Sequence, residues 1–156
     1  MKDLVAYFSA SGSTAKLAGT LASAAGAELY EIRPAVPYER RDLNWMDKKS
    51  RSTLEMQDRS CRPPLADTDA PVAEAERIFL GFPIWWYREP SVVDSFLDAY
   101  DFAGKTIVPF FTSGGSQLGE GQARIETLAR GARVLPGRRF GARAGEKELK
   151  AWLDSL

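Results

Sequence analysis

Four hydroxyl residues and a glycine, Ser9, Ser11, Gly12, Ser13 and Thr14, stand within six consecutive positions directly behind the apolar run Val5-Ala6-Tyr7-Phe8. Hydroxyls donate hydrogen bonds without adding charge, and a glycine lets the backbone curl closely around a ligand. A helical pattern begins at Ser13, so the first turn contributes unpaired N–H groups and the positive end of the helix dipole. An anion is the natural occupant of such a turn. No lysine stands among the donors. A nucleoside-triphosphate loop ends in Gly-Lys-Ser/Thr and a dinucleotide fingerprint needs three spaced glycines, and neither is present. The pattern therefore points to a monophosphate that needs no magnesium ion, although the same residues alone also describe a capped helix after an ordinary turn.

Two further loops carry chemistry. In Gly81-Phe82-Pro83-Ile84-Trp85-Trp86-Tyr87, adjacent tryptophans leave a large apolar area near solvent that a planar ring system would cover by stacking. One indole is expected to turn into the core and the other to stand beside the ligand. Pro83 and Ile84 are expected to offer backbone groups along the ring. The loop Thr112-Ser113-Gly114-Gly115-Ser116-Gln117-Leu118-Gly119 presents amides suited to the polar edge of a ring, with glycines permitting close approach. Alone, it reads equally as a flexible surface turn.

The elements that must position these loops alternate. Strands are expected near Asp3–Phe8, Glu28–Ile32, Arg77–Phe82, Lys105–Phe111 and Ala132–Leu135, the last running on towards Phe140. Helices are expected over Ser13–Ala25, Pro90–Tyr100, Gly121–Arg130 and Glu146–Leu156, the last with Leu149, Trp152, Leu153 and Leu156 on one face. Such alternation implies a parallel sheet covered on both faces. In the order 2-1-3-4-5, strands one, three and four are central neighbours, and their loops meet at one crevice beyond the carboxyl ends of the strands. Between Pro34 and Pro71 the periodicity is poor, with one helical piece expected around Asp42–Met56. The segment reads either as an active-site flap or as a solvated insertion.

At 156 residues the chain has the length of one domain spanning 1–156. It has no histidine, which removes Ser-His-Asp and Cys-His nucleophile pairs, histidine metal sites and the usual near-neutral base. Cys61 is the single cysteine, so neither an internal disulfide nor a cysteine-built metal cage forms, and no metal is expected. Lysine and arginine total 21 and aspartate and glutamate total 21, which gives no field for nucleic acid or an anionic membrane. The amino terminus lacks the pattern of a secretory signal, and no apolar run approaches bilayer length. A cytoplasmic protein is expected.

In combination, Tyr7-Phe8-Ser9-x-Ser11-Gly12-x-Thr14, Phe79 to Trp86 and Thr112 to Ser116 resemble the flavodoxin-like superfamily, specifically the flavodoxin-4 branch, across Met1 to Leu156. The segment Tyr38 to Glu55 also resembles that branch's excursion after strand two. The resemblance implies an α/β fold, a flavodoxin-like three-layer α-β-α sandwich with five parallel strands in the order 2-1-3-4-5. It implies FMN as cofactor, with phosphate held by Ser9, Ser11, Gly12, Ser13 and Thr14. The ring would then lie along Pro83, Ile84, Trp85, Trp86, Thr112, Ser113, Gly114, Gly115 and Gly119.

The chain departs from familiar flavodoxins twice. Their third loop usually carries a tyrosine over the outer flavin face, whereas Thr112 to Gly119 has no aromatic residue. They are also strongly acidic, and this chain is balanced. An open face suits an FMN-dependent oxidoreductase taking electrons from NAD(P)H to a quinone or similar small acceptor, and Trp45, Arg51, Tyr87 and Arg88 are candidates to line the approach. The alternatives are an electron carrier that docks on protein redox partners and a flavin-binding module with little turnover. A homodimer in which one subunit's excursion covers the other's flavin is also compatible with the sequence.

Overall fold

The computed structural model describes residues 2–141 and 143–156. Its inner strand β1 (Asp3–Tyr7) has side chains that alternate between two apolar layers, Leu4 and Ala6 facing one and Val5 the other. On one side β1 pairs with β2 (Glu28–Glu31) and on the other with β3 (Arg77–Pro83), which in turn pairs with β4 (Thr106–Thr112). All these pairings are parallel. At the outer edge β5 (Arg133–Val134) pairs with the start of β4 and β6 (Arg138–Phe140) with its end. The path β2-β1-β3-β4-β5 is the expected order, with β6 also on β4.

The expected fifth strand is thus two short strands in succession. Pro136 has no N–H to give to the ladder, and the Gly137 N–H turns instead to the Gln122 side chain at 2.9 Å. A sixth strand is the consequence.

Helices α1 (Ser13–Ala25) and α5 (Glu146–Asp154) cover one face of the sheet. The other face packs against α3 (Ser91–Ala99) and α4 (Gly121–Leu128). Trp152 meets Phe79 and Phe140 edge-on at 5.8 and 5.0 Å, contacts worth about 0.5–1.5 kcal/mol each beyond their buried area. Leu156 lies past the end of α5 and is exposed, so the expected apolar face stops short of it.

The helical piece expected around Asp42–Met56 divides in two. A 3-10 turn covers Arg40–Leu43, and α2 covers Arg51–Gln57. Between them the Asn44 and Asp47 side chains accept the N–H groups of Met46 and Lys49 at 3.2 and 2.9 Å, a local alternative to helical bonding. Ser50 then caps α2 by accepting the Thr53 N–H at 3.4 Å. An isolated antiparallel bridge between Pro34 and Leu65 closes the excursion at its base. Among the described residues, no helix is long and apolar enough to cross a membrane.

Candidate functional site

The first loop hangs between β1 and α1. Gly12 is left-handed at φ 97°, a conformation glycine adopts without penalty, and it precedes the helix as its N-cap residue. The Lys16 N–H reaches the Gly12 carbonyl at 3.1 Å. The N–H groups of Ser13, Thr14 and Ala15, one turn earlier, have no protein acceptor among the described residues. They are the donors that an anion would occupy.

The hydroxyls play different parts. Ser9 accepts the Gly12 N–H at 3.1 Å and so shapes the loop itself. Thr14 is buried and shares a hydrogen bond of 2.8 Å with Thr112, which joins the first loop to the third. Ser11 and Ser13 are the hydroxyls without a protein partner among the described residues. Of four hydroxyls read as facing an anion, two are committed to the scaffold.

The second loop is a tight hairpin. Trp85 and Arg88 exchange backbone hydrogen bonds of 3.0 and 3.1 Å, with Trp86 and Tyr87 at the turn. Those two, at φ 48° and 63°, are the only non-glycine residues in the left-handed region among the described residues. Each costs about 1–3 kcal/mol, so tertiary contacts must impose the turn. Trp85 is half-buried and packs edge-on against Phe8 and Tyr38, with centroids 5.6 and 5.4 Å away, while Trp86 is exposed. The expected division of the two indoles is therefore Trp85 inward and Trp86 outward. The Ile84 N–H is donated to the Thr112 carbonyl at 3.1 Å, and Pro83 has none, so the expected N–H groups along the ring do not come from this pair.

In the third loop Ser113 donates to the Ser116 carbonyl at 2.6 Å and accepts the Gly115 N–H at 3.3 Å. Arg139 on β6 grips the Ser113 carbonyl through Nε and Nη2 at 3.2 and 2.9 Å. A side chain on Gly114 or Gly115 would meet only open space, so these glycines are not forced by packing. Gly119 is different. It is left-handed at φ 60°, and a Cβ there would stand 2.7 Å from the Tyr87 carbonyl, so its glycine lets the third loop touch the second.

Beside the second and third loops lies a cavity of about 510 Å³ lined by Leu43, Trp45, Ser52, Ile84, Trp85, Trp86, Tyr87 and Ser116. None of these side chains carries a charge at neutral pH. Trp45 and Tyr87 are each 70% exposed, a large aromatic area to leave open to water. Leu43, Trp45 and Ser52 come from the excursion, which is therefore a wall of the cavity. Sequence reading did not single out Leu43 or Ser52 for this role; the cap signal at Ser50 would have placed Ser52 on a helix.

Two candidates for the approach belong elsewhere. Arg51 pairs with Glu55 at 3.0 Å, lies over the Tyr38 ring at 3.9 Å and donates to the Val36 carbonyl at 2.7 Å. Tyr38 in turn donates to Glu55, and burial together with that carboxylate raises its phenol pKa, keeping it neutral. Arg88 is 1% exposed. It bonds the Met56 carbonyl at 3.1 Å and Asp94 at 3.4 Å, and Arg124 bonds Asp94 at 2.6 Å and Glu89 at 3.1 Å. This buried ionic network fastens the end of α2 and the aromatic hairpin to α3 and α4. Burial, reinforced by the nearby Asp94 charge, pushes Glu89 up to about 8, and Glu89 Oε2 and Asp94 Oδ1 have no hydrogen-bond partner among the described residues. The sequence reading missed the network, although Asp94 between Val93 and Phe96 on an apolar helix was a visible signal.

Unpaired amides around a cation-free turn, joined to an aromatic cavity, fit a planar ring bearing a phosphate monoester. A three-layer sandwich with that site at its strand-order switch is the flavodoxin class. The chain belongs to the flavodoxin family, whose Flavodoxin_4 model matches residues 2–156, and with the family comes FMN. A candidate flavoprotein from Bacteroides uniformis ATCC 8492 is 42% identical over 98% of this chain and 97% of its own, with a TM-score of 0.92. A flavoprotein from Lactobacillus acidophilus NCFM, solved in complex with FMN, shares the fold at 22% identity, 97% and 98% coverage and a TM-score of 0.73. An NADH:FMN oxidoreductase in its apo form shares it at 18% identity, 99% and 86% coverage and a TM-score of 0.59. No curated protein matches the chain.

Proposed function

We propose that the chain is an FMN-dependent oxidoreductase that passes electrons from NAD(P)H to a quinone or similar small acceptor. The carrying observation is the uncharged aromatic cavity of about 510 Å³ beside a third loop that has no aromatic cover. The N–H groups of Ser13, Thr14 and Ala15, with the Ser11 and Ser13 hydroxyls, would hold the phosphate. Trp85, fixed by Phe8 and Tyr38, is a rigid edge for the ring, while the exposed Trp45 and Tyr87 form an aromatic approach that a planar substrate would cover. Bound FMN supplies two-electron chemistry, so that overall NAD(P)H, a proton and a quinone become NAD(P)+ and a hydroquinone. The chain need only orient the reactants, which accords with its lack of histidine. The shared fold of an NADH:FMN oxidoreductase is in keeping with this reading.

The alternative, an electron carrier docking on protein partners, is less well supported, because the balanced charge gives no long-range steering. The test is an anaerobic spectrum of the FMN-loaded protein before and after addition of NADPH and then NADH. Rapid bleaching of the flavin band is expected. A flavin that stays oxidised with both would overturn the reading and favour a carrier fed by a protein.

A further inference from the structure

We infer that Arg139 is a positioning residue that sets the reduction potential of the bound flavin by aiming the Gly114 N–H into the crevice. Successive carbonyls of β4 point to opposite sides. The Thr112 carbonyl points towards β3, where it accepts the Ile84 N–H at 3.1 Å. The next carbonyl, that of Ser113, points to the outer edge, where Arg139 grips it through Nε and Nη2 at 3.2 and 2.9 Å. A trans peptide places its N–H opposite its C=O, so the Gly114 N–H is directed back towards the second loop. It has no protein acceptor among the described residues.

The guanidinium does a second thing. Arg139 is half-buried, and its charge sits at the carbonyl end of a peptide whose N–H end faces the crevice. Its Nε also bonds the Ser113 hydroxyl at 3.2 Å, which fixes the loop further. No residue from Thr112 to Gly119 carries a charge, and none lining the cavity does, so among the described residues this guanidinium is the charged group hydrogen-bonded to the third loop. Reduction places negative charge on the polar edge of the isoalloxazine, and an oriented donor backed by a cation favours that state over the oxidised one.

The inference rests on the FMN reading, and one experiment separates the two. Midpoint potential and affinity for oxidised FMN are measured for the FMN-loaded wild type, Arg139→Gln, Gly114→Pro and the double variant. Arg139→Gln is expected to weaken binding of reduced FMN at least tenfold relative to oxidised FMN, which is a fall of about 30 mV in a two-electron potential. Gly114→Pro removes the same N–H directly and should lower the potential similarly. The double variant should fall by less than the sum, because both changes remove one interaction. Should Arg139→Gln fail to bind FMN, Arg139→Lys, which keeps the charge but not the two-pronged grip, is read in its place. An unchanged potential in the arginine variant, or fully additive falls in the double variant, would overturn the inference. A wild type that binds no FMN would overturn the cofactor reading instead, before any variant is made.

Discussion

The two ends of the crevice are built by opposite means. The turn from Ser9 to Thr14 is local: one strand, one left-handed glycine and one helix start place its donors, and no charge takes part. The hairpin from Trp85 to Arg88 is imposed from outside, with two large aromatic residues in the left-handed region held by a buried ionic network reaching α2, α3 and α4. Binding a phosphate requires only exposed backbone, whereas presenting a ring-stacking surface at a fixed angle requires support from the whole tertiary structure. On the proposed reading, the first end anchors the phosphate and the second selects the ring.

The largest effect should come from the network. Asp94→Ala leaves Arg88 and Arg124 buried without their shared carboxylate and should cost about 3–5 kcal/mol in unfolding free energy by urea titration. If the loss is below about 1 kcal/mol, the hairpin is held by something else. The pH dependence of stability probes the same network. Glu89 binds its proton more tightly folded, at about 8, than unfolded, so its contribution is complete below pH 4.5 and is lost as pH rises towards 8. Stability should fall across that window, and Glu89→Gln should reduce the fall, with the remainder coming from Asp94, whose carboxyl pKa is also raised by burial. A wild-type profile already flat between pH 5 and 8 would remove Glu89 from the account.

At the anchoring end, Ser11→Ala should weaken FMN binding by about 1–3 kcal/mol, read by calorimetric titration, and Thr14→Ala should weaken it less, because the Thr14 hydroxyl is bonded to Thr112. They should differ in stability. Thr14 also bonds Thr112, so its loss should loosen the protein while that of Ser11 leaves it unchanged. The smallest effect carries the sharpest sign. Tyr87→Gly relieves a left-handed aromatic and should raise stability by up to about 1 kcal/mol, yet it removes a cavity wall and should slow quinone reduction. A variant that is less stable would show that the turn is not strained.

The same division governed what was legible in the sequence. Strand, turn and helix around Gly12 follow from neighbouring residues, whereas alternation of the elements implies only a parallel sheet, and the strand order that brings the three loops together came from the resemblance to the flavodoxin-like fold. Which indole faces inward could not be read, since that depends on a turn that neither Trp86 nor Tyr87 favours by itself. In the sequence Arg88 reads as a candidate for the approach, and its burial becomes visible only when Asp94 and Met56 are brought against it from other elements. The break between β5 and β6 was half-visible in Pro136, but the competing bond from Gly137 to Gln122 spans 15 residues. Gly119 was read as a ligand glycine, and its steric reason is the Tyr87 carbonyl.

The most direct test of a charge-free phosphate anchor joined to an aromatic ring site is a parallel titration of the apo-protein with FMN and with riboflavin, followed by flavin fluorescence. The account predicts that FMN binds with quenched fluorescence and that riboflavin, which has the ring but no phosphate, binds at least about tenfold more weakly, a difference of roughly 1.4 kcal/mol. Equal affinities for the two flavins, or no binding of FMN, would contradict it.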